Sequence, residues 1–578
     1  MSGGEMFYLY GAVIQGIQGF IFETNKLKEI IGGSELVKEI SEKDFWKKFE
    51  KEREKGEVEI LTTAAGKIQA IFKNRELLEK HMLEFEREVI EKAPGITISQ
   101  QVVVIEGSRE ELFRNLDFLL FQLTKLLAQE RNRKGVPIDR FIPILDIAPR
   151  TGRPFYNKEK QEKLSLGVYK KRQKEKEIKE KEKEICRSLK EEIKLEMDGE
   201  EIFRLIEEKG IPNCTTDLGK LGSSGEDKRK IAILHIDGNG LGQLLPKLIE
   251  LKVDIGKFSI QLDRATHRAF GRAISEIEAR RRGEEGGEPF QWIRKIILGG
   301  DDVTVVMEPQ FTLKFVELYL KFFEEETSKI FQVAVPLPSL FKGKSELYPV
   351  VGVLEEDKLP EIENFFSEYY FGEIDKTPRL TAGAGIAFIP EKFPFYMGVE
   401  LAEALTKEVK KRSGRKRSGV MFHSIQSSYF SGWKELKRWE LEGKGWLPVE
   451  GEEEGKRVEK WRLDLLFGPY YLKDKPAIGD FLQLSELFTS IEGCASRYRE
   501  WLRLVEINSQ LAQYILERGF EVGILKEMEE KLREGFQKLS KKITPLKPYL
   551  QREGYFQTPI YDLLQWKGVS LAKKGNKG

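Results

Sequence analysis

Residues 294–306 read RKIILGGDDVTVV. Apolar residues lead into two glycines and two aspartates, and apolar residues lead out. The pattern predicts a tight β-hairpin with Asp301 and Asp302 side by side at its tip. Adjacent carboxylates repel, so such a tip calls for cations between them or for full solvation.

The surroundings of the hairpin set the fold. Upstream, KIAILHI ends at Asp237 and runs into a Gly-rich turn, Asp237–Gly242, followed by helical periodicity over about 241–282. Downstream, QFTLKFVELYLKFFEEETSKIF predicts an amphipathic helix. RLTAGAGIAFIP predicts a strand, FYMGVELAEALTKEVKKRSG a helix and SGVMFHSI a final strand. The order is β-α-β-β-α-β, the ferredoxin-like pattern, with an irregular insertion at about 333–378.

The N-terminal part reads the same way. MFYLYGAVI is a strand, and a helical stretch with a break at Gly32-Gly33 follows. EVEILTTAAGKIQAIFKN is a hairpin, then come a helix at about 74–92, a strand ITISQQVVVIEG and a helix at about 109–131. The topology is therefore duplicated. The first hairpin turn carries TTAAGK where the second carries LGGDDV.

Between the copies, YKKRQKEKEIKEKEKEICRSLKEEIKLE reads as a solvated helix with Glu–Lys pairs at i,i+4 rather than a nucleic-acid arm, because its charge is mixed. GKLGSSGEDKRK (219–230) reads as a flexible entry to the second copy. From about 424 onward the chain is mostly helical and reads as a bundle with an interface role. The expected class is α+β: two ferredoxin-like (βαββαβ) domains at 1–145 and 229–425, a charged helical linker domain at 146–228 and a C-terminal helical bundle at 426–578.

Bulk composition agrees. The chain has 578 residues, so about 150 residues per domain gives roughly four domains. Lys and Arg number 97 against 95 Asp and Glu, for a net charge of +2. That balance argues against a general polyanion-coating protein and leaves room for a local basic groove. Cys186, Cys214 and Cys494 are far apart and form no CxxC, which argues against a disulfide framework or a zinc ribbon and fits a reducing cytoplasm. The N-terminus lacks a basic signal-peptide region, and no run of 18 apolar residues occurs, so no membrane partner is expected.

Chemistry concentrates in two motifs. Asp237 ends a strand expected to be central and flanked by the hairpin strands, so it can face the tip carrying Asp301 and Asp302. Three converging carboxylates need cations. Two Mg2+ or Mn2+ ions would satisfy them, since oxygen-only ligands select hard ions over zinc. The glycines of DGNGLG let backbone N–H groups approach a triphosphate. Each motif alone reads as a turn as readily as a ligand; the pair, placed within one βαββαβ unit, points to a metal site. Among the basic residues of AEALTKEVKKRSGRKRSG, Lys410 is the one expected to meet phosphate. His81 is expected on a surface helix, His235 and His423 on strands and His267 on a helix; they form no His–Asp pair and no HExxH. GSSGEDK lacks the ending of a P-loop, and GAGIAF reads as a strand.

With these residues in place, the sequence resembles the large palm-domain subunit of type III CRISPR effector complexes, the cyclic oligoadenylate synthase family related to GGDEF and nucleotidyl cyclases. The matching stretches are IQGFIFETNKLKEIIGGSELVKEIS, IAILHIDGNGLGQLL, IILGGDDVTVV, LTAGAGIAFIPEKFPFYMGVELAEALTKEVKK and LLFGPYYLKDK. PRTGRPFY (149–156) looks like the inter-palm segment without its usual cysteines, so no zinc is expected. The resemblance implies two ATP molecules between two palms. Asp237, Asp301, Asp302 and the carbonyl of Gly238 would hold two divalent ions and carry catalysis. Gly238, Asn239, Gly240, Leu241, Gly242, Gly299, Gly300 and Lys410 would contact one nucleotide, and Gly33 and Ser34 the other. A 3′-hydroxyl would attack an α-phosphate and release pyrophosphate, closing to a cyclic oligoadenylate. The implied partners are the other subunits of the complex and, through it, CRISPR RNA and target RNA. Relatives often begin with an HD nuclease domain. Here the first palm begins at residue 6, so no DNA cleavage is expected. Some HD-less relatives are similar to enzymes that join ATP to S-adenosylmethionine, which leaves the acceptor open. A stand-alone nucleotide cyclase and a scaffold with a vestigial site are the other readings; the helical tail and the intact acids speak against them.

Overall fold

The structure, a computed structural model, describes residues 5–24, 26–64, 66–132, 146–215, 221, 230–253, 255–285, 288–333, 352–369, 377–426, 432–448, 460–522 and 524–570. Most of the expected flexible entry at 219–230 and most of the insertion at 333–378 lie outside these residues. It is a mixed α+β protein with several sheets and a helix-rich C-terminal region.

The first unit opens with β1 (Glu5–Gln15) and α1 (Leu27–Lys38), continues with β2 (Val58–Ala64), β3 (Lys67–Phe72) and α2 (Arg75–Lys92), and closes with β4 (Thr97–Gly107) and α3 (Leu116–Arg131). The sheet order is β2-β3-β1-β4, antiparallel throughout. This is the order that split β-α-β units produce. α1 runs through Gly32-Gly33 without the expected break. A Cβ at Gly32 would lie 1.8 Å from the carbonyl oxygen of Lys171, so the glycine marks a helix crossing rather than a helix end. His81 is also corrected: it is buried, ringed by Tyr10, Phe45, Phe49, Phe72 and Phe85. It shares a helix face with Leu78, Phe85 and Val89, a period its sequence already carries.

The linker forms a small sheet of β5 (Ile147–Ala148), β6 (Arg153–Glu159) and β7 (Glu162–Ser165), then α4 (Leu166–Glu192) and α5 (Gly199–Lys209). α4 is half-buried to exposed over most of its length and carries the expected i,i+4 pairing at Glu175–Lys179, but its first turns are not solvated. Lys171 and Arg172 are buried. Arg172 pairs with Glu29, Glu159 and Glu162, and Lys171 with Glu23. The partners lie in the first unit and the small sheet, so spacing along the helix could not reveal them. Cys186 and Cys214, expected to stay unpaired, are joined by a disulfide with Cα atoms 5.6 Å apart. The chain doubles back after α5, which sets residues 28 positions apart side by side.

The second unit comprises β8 (Lys230–Gly238), α6 (Leu241–Glu250), α7 (Ile255–Glu285), β9 (Ile293–Gly299), β10 (Asp302–Met307), α8 (Pro309–Ile330), α9 (Leu359–Tyr369), β11 (Ala382–Pro390), α10 (Phe395–Arg412) and β12 (Gly419–Ser424). α9 gives regular structure to part of the insertion. The strand order β12-β11-β8-β10-β9 contains the order of the first sheet, extended by β12, which runs parallel to β11. β8 therefore lies between β10 and β11, with one hairpin strand beside it and not both. Ile231, Ala232, Ile233, Leu234 and Ile236 are all buried, as a central strand covered on both faces requires. One apolar cluster joins Tyr10, Ala12, Ile30 and Phe72 of the first unit to Ile233, Val306, Ala387 and Leu405 of the second.

The C-terminal region holds β13 (Trp446–Pro448), β14 (Lys460–Asp464), β15 (Tyr470–Tyr471), helices α11 (Ile478–Ser490), α12 (Cys494–Val505), α13 (Ser509–Glu521) and α14 (Ile524–Leu539), then β16 (Leu550–Arg552), β17 (Tyr555–Gln557) and α15 (Ile560–Ser570). It is not helical alone: β13-β14-β17-β16 form a sheet, and β15 adds to the edge of β12. These strands are two to five residues long, below the reach of a periodicity window, and β14 pairs with β17 across some 90 positions. Among the described residues no helix is long and apolar enough to cross a membrane.

Candidate functional site

Three carboxylates meet where β8 ends and the β9–β10 hairpin turns. One oxygen each of Asp237, Asp301 and Asp302 lies within 4.8 Å of the others. The approach depends on Gly238: a Cβ there would stand 2.8 Å from Oδ2 of Asp301 and 2.9 Å from its Cβ. The hairpin turns at Gly300, whose φ of 60° suits glycine. α7 fastens that turn from outside. The Gly300 N–H donates to Oδ1 of Asp263 at 2.8 Å, and the Thr266 hydroxyl donates to the Gly300 carbonyl at 2.5 Å.

β9 is fastened further back. Arg294, buried, donates to the carbonyls of Asn213 and Thr215 at 2.7 and 3.1 Å and to Glu182 at 2.9 Å. Cys214 sits between those two carbonyls, so the disulfide to α4 lies within the strap that holds this strand. From the first unit, the Ser34 hydroxyl donates to the Ile296 carbonyl at 2.7 Å.

Electrostatics follows from this crowding. Burial, then the neighbouring Asp237, pushes the Asp301 carboxyl up to about 7. Burial, then Asp301 and Asp237, pushes Asp302 up to about 8. Like charges this close cannot all ionise without a counter-charge. Lys410 supplies one. Its ammonium pairs with Asp237 and donates to the Gly238 carbonyl at 2.6 Å. The lysine expected at phosphate is thus drawn into the acid cluster by α10, which packs over β8 and β11. Other basic residues of that helix end serve locally: Arg412 pairs with Glu408 at 2.9 Å and donates to the Gly468 carbonyl at 2.8 Å.

The remaining expected residues divide. Asn239 is buried and structural: its amide nitrogen donates to the Thr381 hydroxyl at 2.9 Å and the Arg417 carbonyl at 3.2 Å. That pins the turn through Gly240, the N-cap of α6. Leu241 starts the helix half-buried, and Gly242 is exposed, with open space where a Cβ would stand. Gly33 packs against Ile21 and Lys171 and does not border the cavity described next.

That cavity, of about 510 Å³, lies between the two units. Asp302, Gly299 and Ser34 line it, together with Gln15, Gln18, Gly66, Lys38, Arg131, His235, Lys295 and Thr304. A larger space of about 720 Å³ lies between β2, α3 and the α6–α7 connection, but none of the three acids borders it. Sequence reading missed His235, Thr304 and the α7 clamp. His235 could have been found, since it lies two residues before Asp237 on the same strand face. Burial keeps its imidazole uncharged, pushing it down to about 4. Asp263 and Thr266 left no local signal, because their partner is a backbone 34 to 37 positions away.

No family model and no curated protein matches this sequence. Solved structures do. A chain of the Csm1–Csm4 cassette in complex with pppApApA has a TM-score of 0.50 at 12% identity, over 99% of this chain and 71% of that one. The cassette in complex with AMPPNP gives 0.49 at 12%, over 98% and 70%. Csm1 in T. onnurineus gives 0.47 at 12%, over 99% and 70%. The first of these likenesses speaks for a shared fold.

Proposed function

We propose that this chain is a metal-dependent nucleotidyltransferase of the palm-domain type. It condenses ATP into a cyclic oligoadenylate-type messenger, with release of pyrophosphate, inside an RNA-guided type III CRISPR effector complex. The observation that carries the reading is the convergence of Asp237, Asp301 and Asp302 within 4.8 Å at the edge of a cavity between two units of matching strand order. The pppApApA named with the similar cassette fits a linear intermediate of such a reaction.

The donor set fits hard divalent cations: three carboxylates and the Gly238 carbonyl, all oxygen, with burial and mutual proximity raising Asp301 and Asp302 well above the usual carboxylate range. Asp237, Asp301, Asp302 and that carbonyl would hold Mg2+ or Mn2+. The chemistry such ions supply when bound is activation of a sugar hydroxyl and offsetting of charge at the attacked phosphate.

The chain's own residues do the rest. The first turn of α6, which begins after Gly240, would offer backbone N–H groups and the positive helix end to a triphosphate. Lys410 holds positive charge beside Asp237, where it can offset phosphate oxygens. Ser34 and Gly66 border the cavity from the first unit, which carries no acid at its hairpin turn and so presents a nucleotide without reacting with it. The acceptor's 3′-oxygen would bond to the donor's α-phosphorus as the bond to pyrophosphate breaks.

The test is incubation of the chain with its partner subunits, guide RNA, target RNA, ATP and Mg2+, followed by mass spectrometry. Adenylate oligomers that require target RNA and vanish in the Asp301→Ala/Asp302→Ala variant are expected. Oligomers that persist in that variant overturn the proposal. Adding S-adenosylmethionine shows whether another acceptor is used.

A further inference from the structure

The bond between Cys186 and Cys214 lies on the route to the acids. β9 is the outer strand of its sheet, and it ends at Gly299, where the hairpin carrying Asp301 and Asp302 begins to turn. Asn213, Cys214 and Thr215 run beside the start of this strand. Arg294 donates to the carbonyls of Asn213 and Thr215. The Lys295 N–H donates to Oδ1 of Asn213 at 3.1 Å, the Thr215 hydroxyl to the Gln291 carbonyl at 2.6 Å, and the Gln291 side-chain amide to the Cys214 carbonyl at 3.4 Å. This short strap grips β9 and its lead-in from Gln291 to Lys295. Ser34 takes over one residue further, at the Ile296 carbonyl.

α4 holds the strap in turn. Glu182 accepts from Nδ2 of Asn213 at 2.9 Å and from Arg294, Cys186 is bonded to Cys214, and Lys190 pairs with Glu288 at 2.8 Å. Residues 182, 186 and 190 follow at four-residue steps, so they form one stripe along the helix. Lys190 and Glu288 are both exposed, where an ion pair adds little. The disulfide is the covalent link in the stripe. Both of its cysteines are half-buried, not sealed in the core as Cys494 is. A strand at the edge of a sheet has neighbours on one side only, so loosening its cover lets it open locally ahead of the sheet interior.

We propose that the Cys186–Cys214 disulfide is a redox-controlled clasp on the acid-bearing hairpin. Oxidised, it ties the strap to α4 and, through the strap, steadies β9. On reduction a dithiol supplies two electrons and two protons. The S–S bond breaks, Cys186 and Cys214 become thiols, and the dithiol closes to its own disulfide. The strap then keeps Glu182 as its polar tie to α4, and β9 presents Asp301 and Asp302 less firmly. The consequence for catalysis rests on the nucleotidyltransferase reading; the clasp itself does not.

The full chain is compared in two forms, oxidised in air and reduced with dithiothreitol followed by desalting without air. Each is studied by hydrogen exchange with mass spectrometry and titrated calorimetrically with Mn2+. N-ethylmaleimide is expected to mark two cysteines in the reduced form and none in the oxidised form, since Cys494 is buried. Reduction is expected to speed exchange at residues 291–302, to leave the first hairpin, 58–72, unchanged, and to weaken Mn2+ binding about three- to tenfold. Cys214→Ser is expected to behave as the reduced form with or without dithiothreitol. Two marked cysteines in the air-oxidised chain overturn the proposal, and so does equal exchange at 291–302 in the two forms. Faster exchange spread evenly over both hairpins overturns it too, because the disulfide is then a staple of the whole chain. Unchanged Mn2+ affinity despite local loosening shows that the clasp does not govern the acids. Local loosening with no Mn2+ bound in either form leaves the clasp standing and overturns the metal-dependent reading instead.

Discussion

The turn between β2 and β3 and the turn between β9 and β10 hold the same place in two sheets of the same strand order. Both use a glycine with positive φ, 77° at Gly66 and 60° at Gly300. They are fastened differently. Gly66 is held from within its own sheet, its carbonyl accepting from the Ile14 N–H at 2.8 Å. Gly300 is held from outside, by Asp263 and Thr266 of α7. The first turn leads into Lys67, and the second into two carboxylates that crowd a third. The strand order around the hairpin sets where the tip points. What the tip can do is set by two side chains and the helix that steadies them.

The comparison breaks if the two hairpins prove equal in assay. Asp301→Ala/Asp302→Ala is expected to lower product formation by about 10³-fold or more. Lys67→Ala in the first hairpin is expected to cost less than about threefold, and a comparable loss there would show that both tips act on the substrate. Next comes Lys410, the charge drawn to Asp237. Lys410→Met is expected to cost about 10²-fold in rate and about 1–3 kcal/mol of metal-free stability by denaturant melting, since it leaves a carboxylate beside other acids unpaired.

The outside clamp gives a smaller effect. Asp263→Ala removes the acceptor for the Gly300 N–H and is expected to cost about tenfold in kcat with KM little changed. Asp263→Asn keeps an acceptor oxygen and is expected to recover most of that loss. Equal loss in both variants would mean that the charge of Asp263, and not its hydrogen bond, matters.

The smallest effect is on pH dependence without metal. Asp301 and Asp302 bind protons more tightly folded than their ordinary value of 3.8, up to about 7 and 8. Such groups favour the folded state at low pH, and their contribution is lost as pH climbs from about 4 through those values. In EDTA the wild-type melting temperature is expected to fall by a few degrees more between pH 5 and 8.5 than that of Asp301→Asn/Asp302→Asn. Mn2+ is expected to remove the difference at the upper end. Parallel curves for the two proteins in EDTA would show that the acids are relieved in some other way.

Sequence and structure divide the account along physical lines. The hairpins, the long helices and the strand that ends at Asp237 were legible because hydrophobic period and glycine turns are local signals. The three acids were legible for the same reason: strand ends and a turn fix their positions. His81 and His235 lie on readable periods, His81 with Leu78, Phe85 and Val89 on one helix face and His235 two residues from Asp237 on one strand face. The short strands β13, β14, β16 and β17 were not legible, because each is too brief for a period and the parallel pairing of β14 with β17 spans some 90 positions.

By itself, then, the sequence determined two copies of one strand order and a single set of converging carboxylates. Alternation, turn chemistry and like-charge repulsion act between near neighbours in the chain. Only the tertiary structure decided that α4 is pinned near its start by the buried Arg172, that Cys186 meets Cys214 beside the strap on β9, that Lys410 sits against Asp237, and that His235 and Thr304 close the polar face of the cavity. Each of these joins residues brought together by packing, and their partners are named by three-dimensional proximity, which no spacing along the chain encodes.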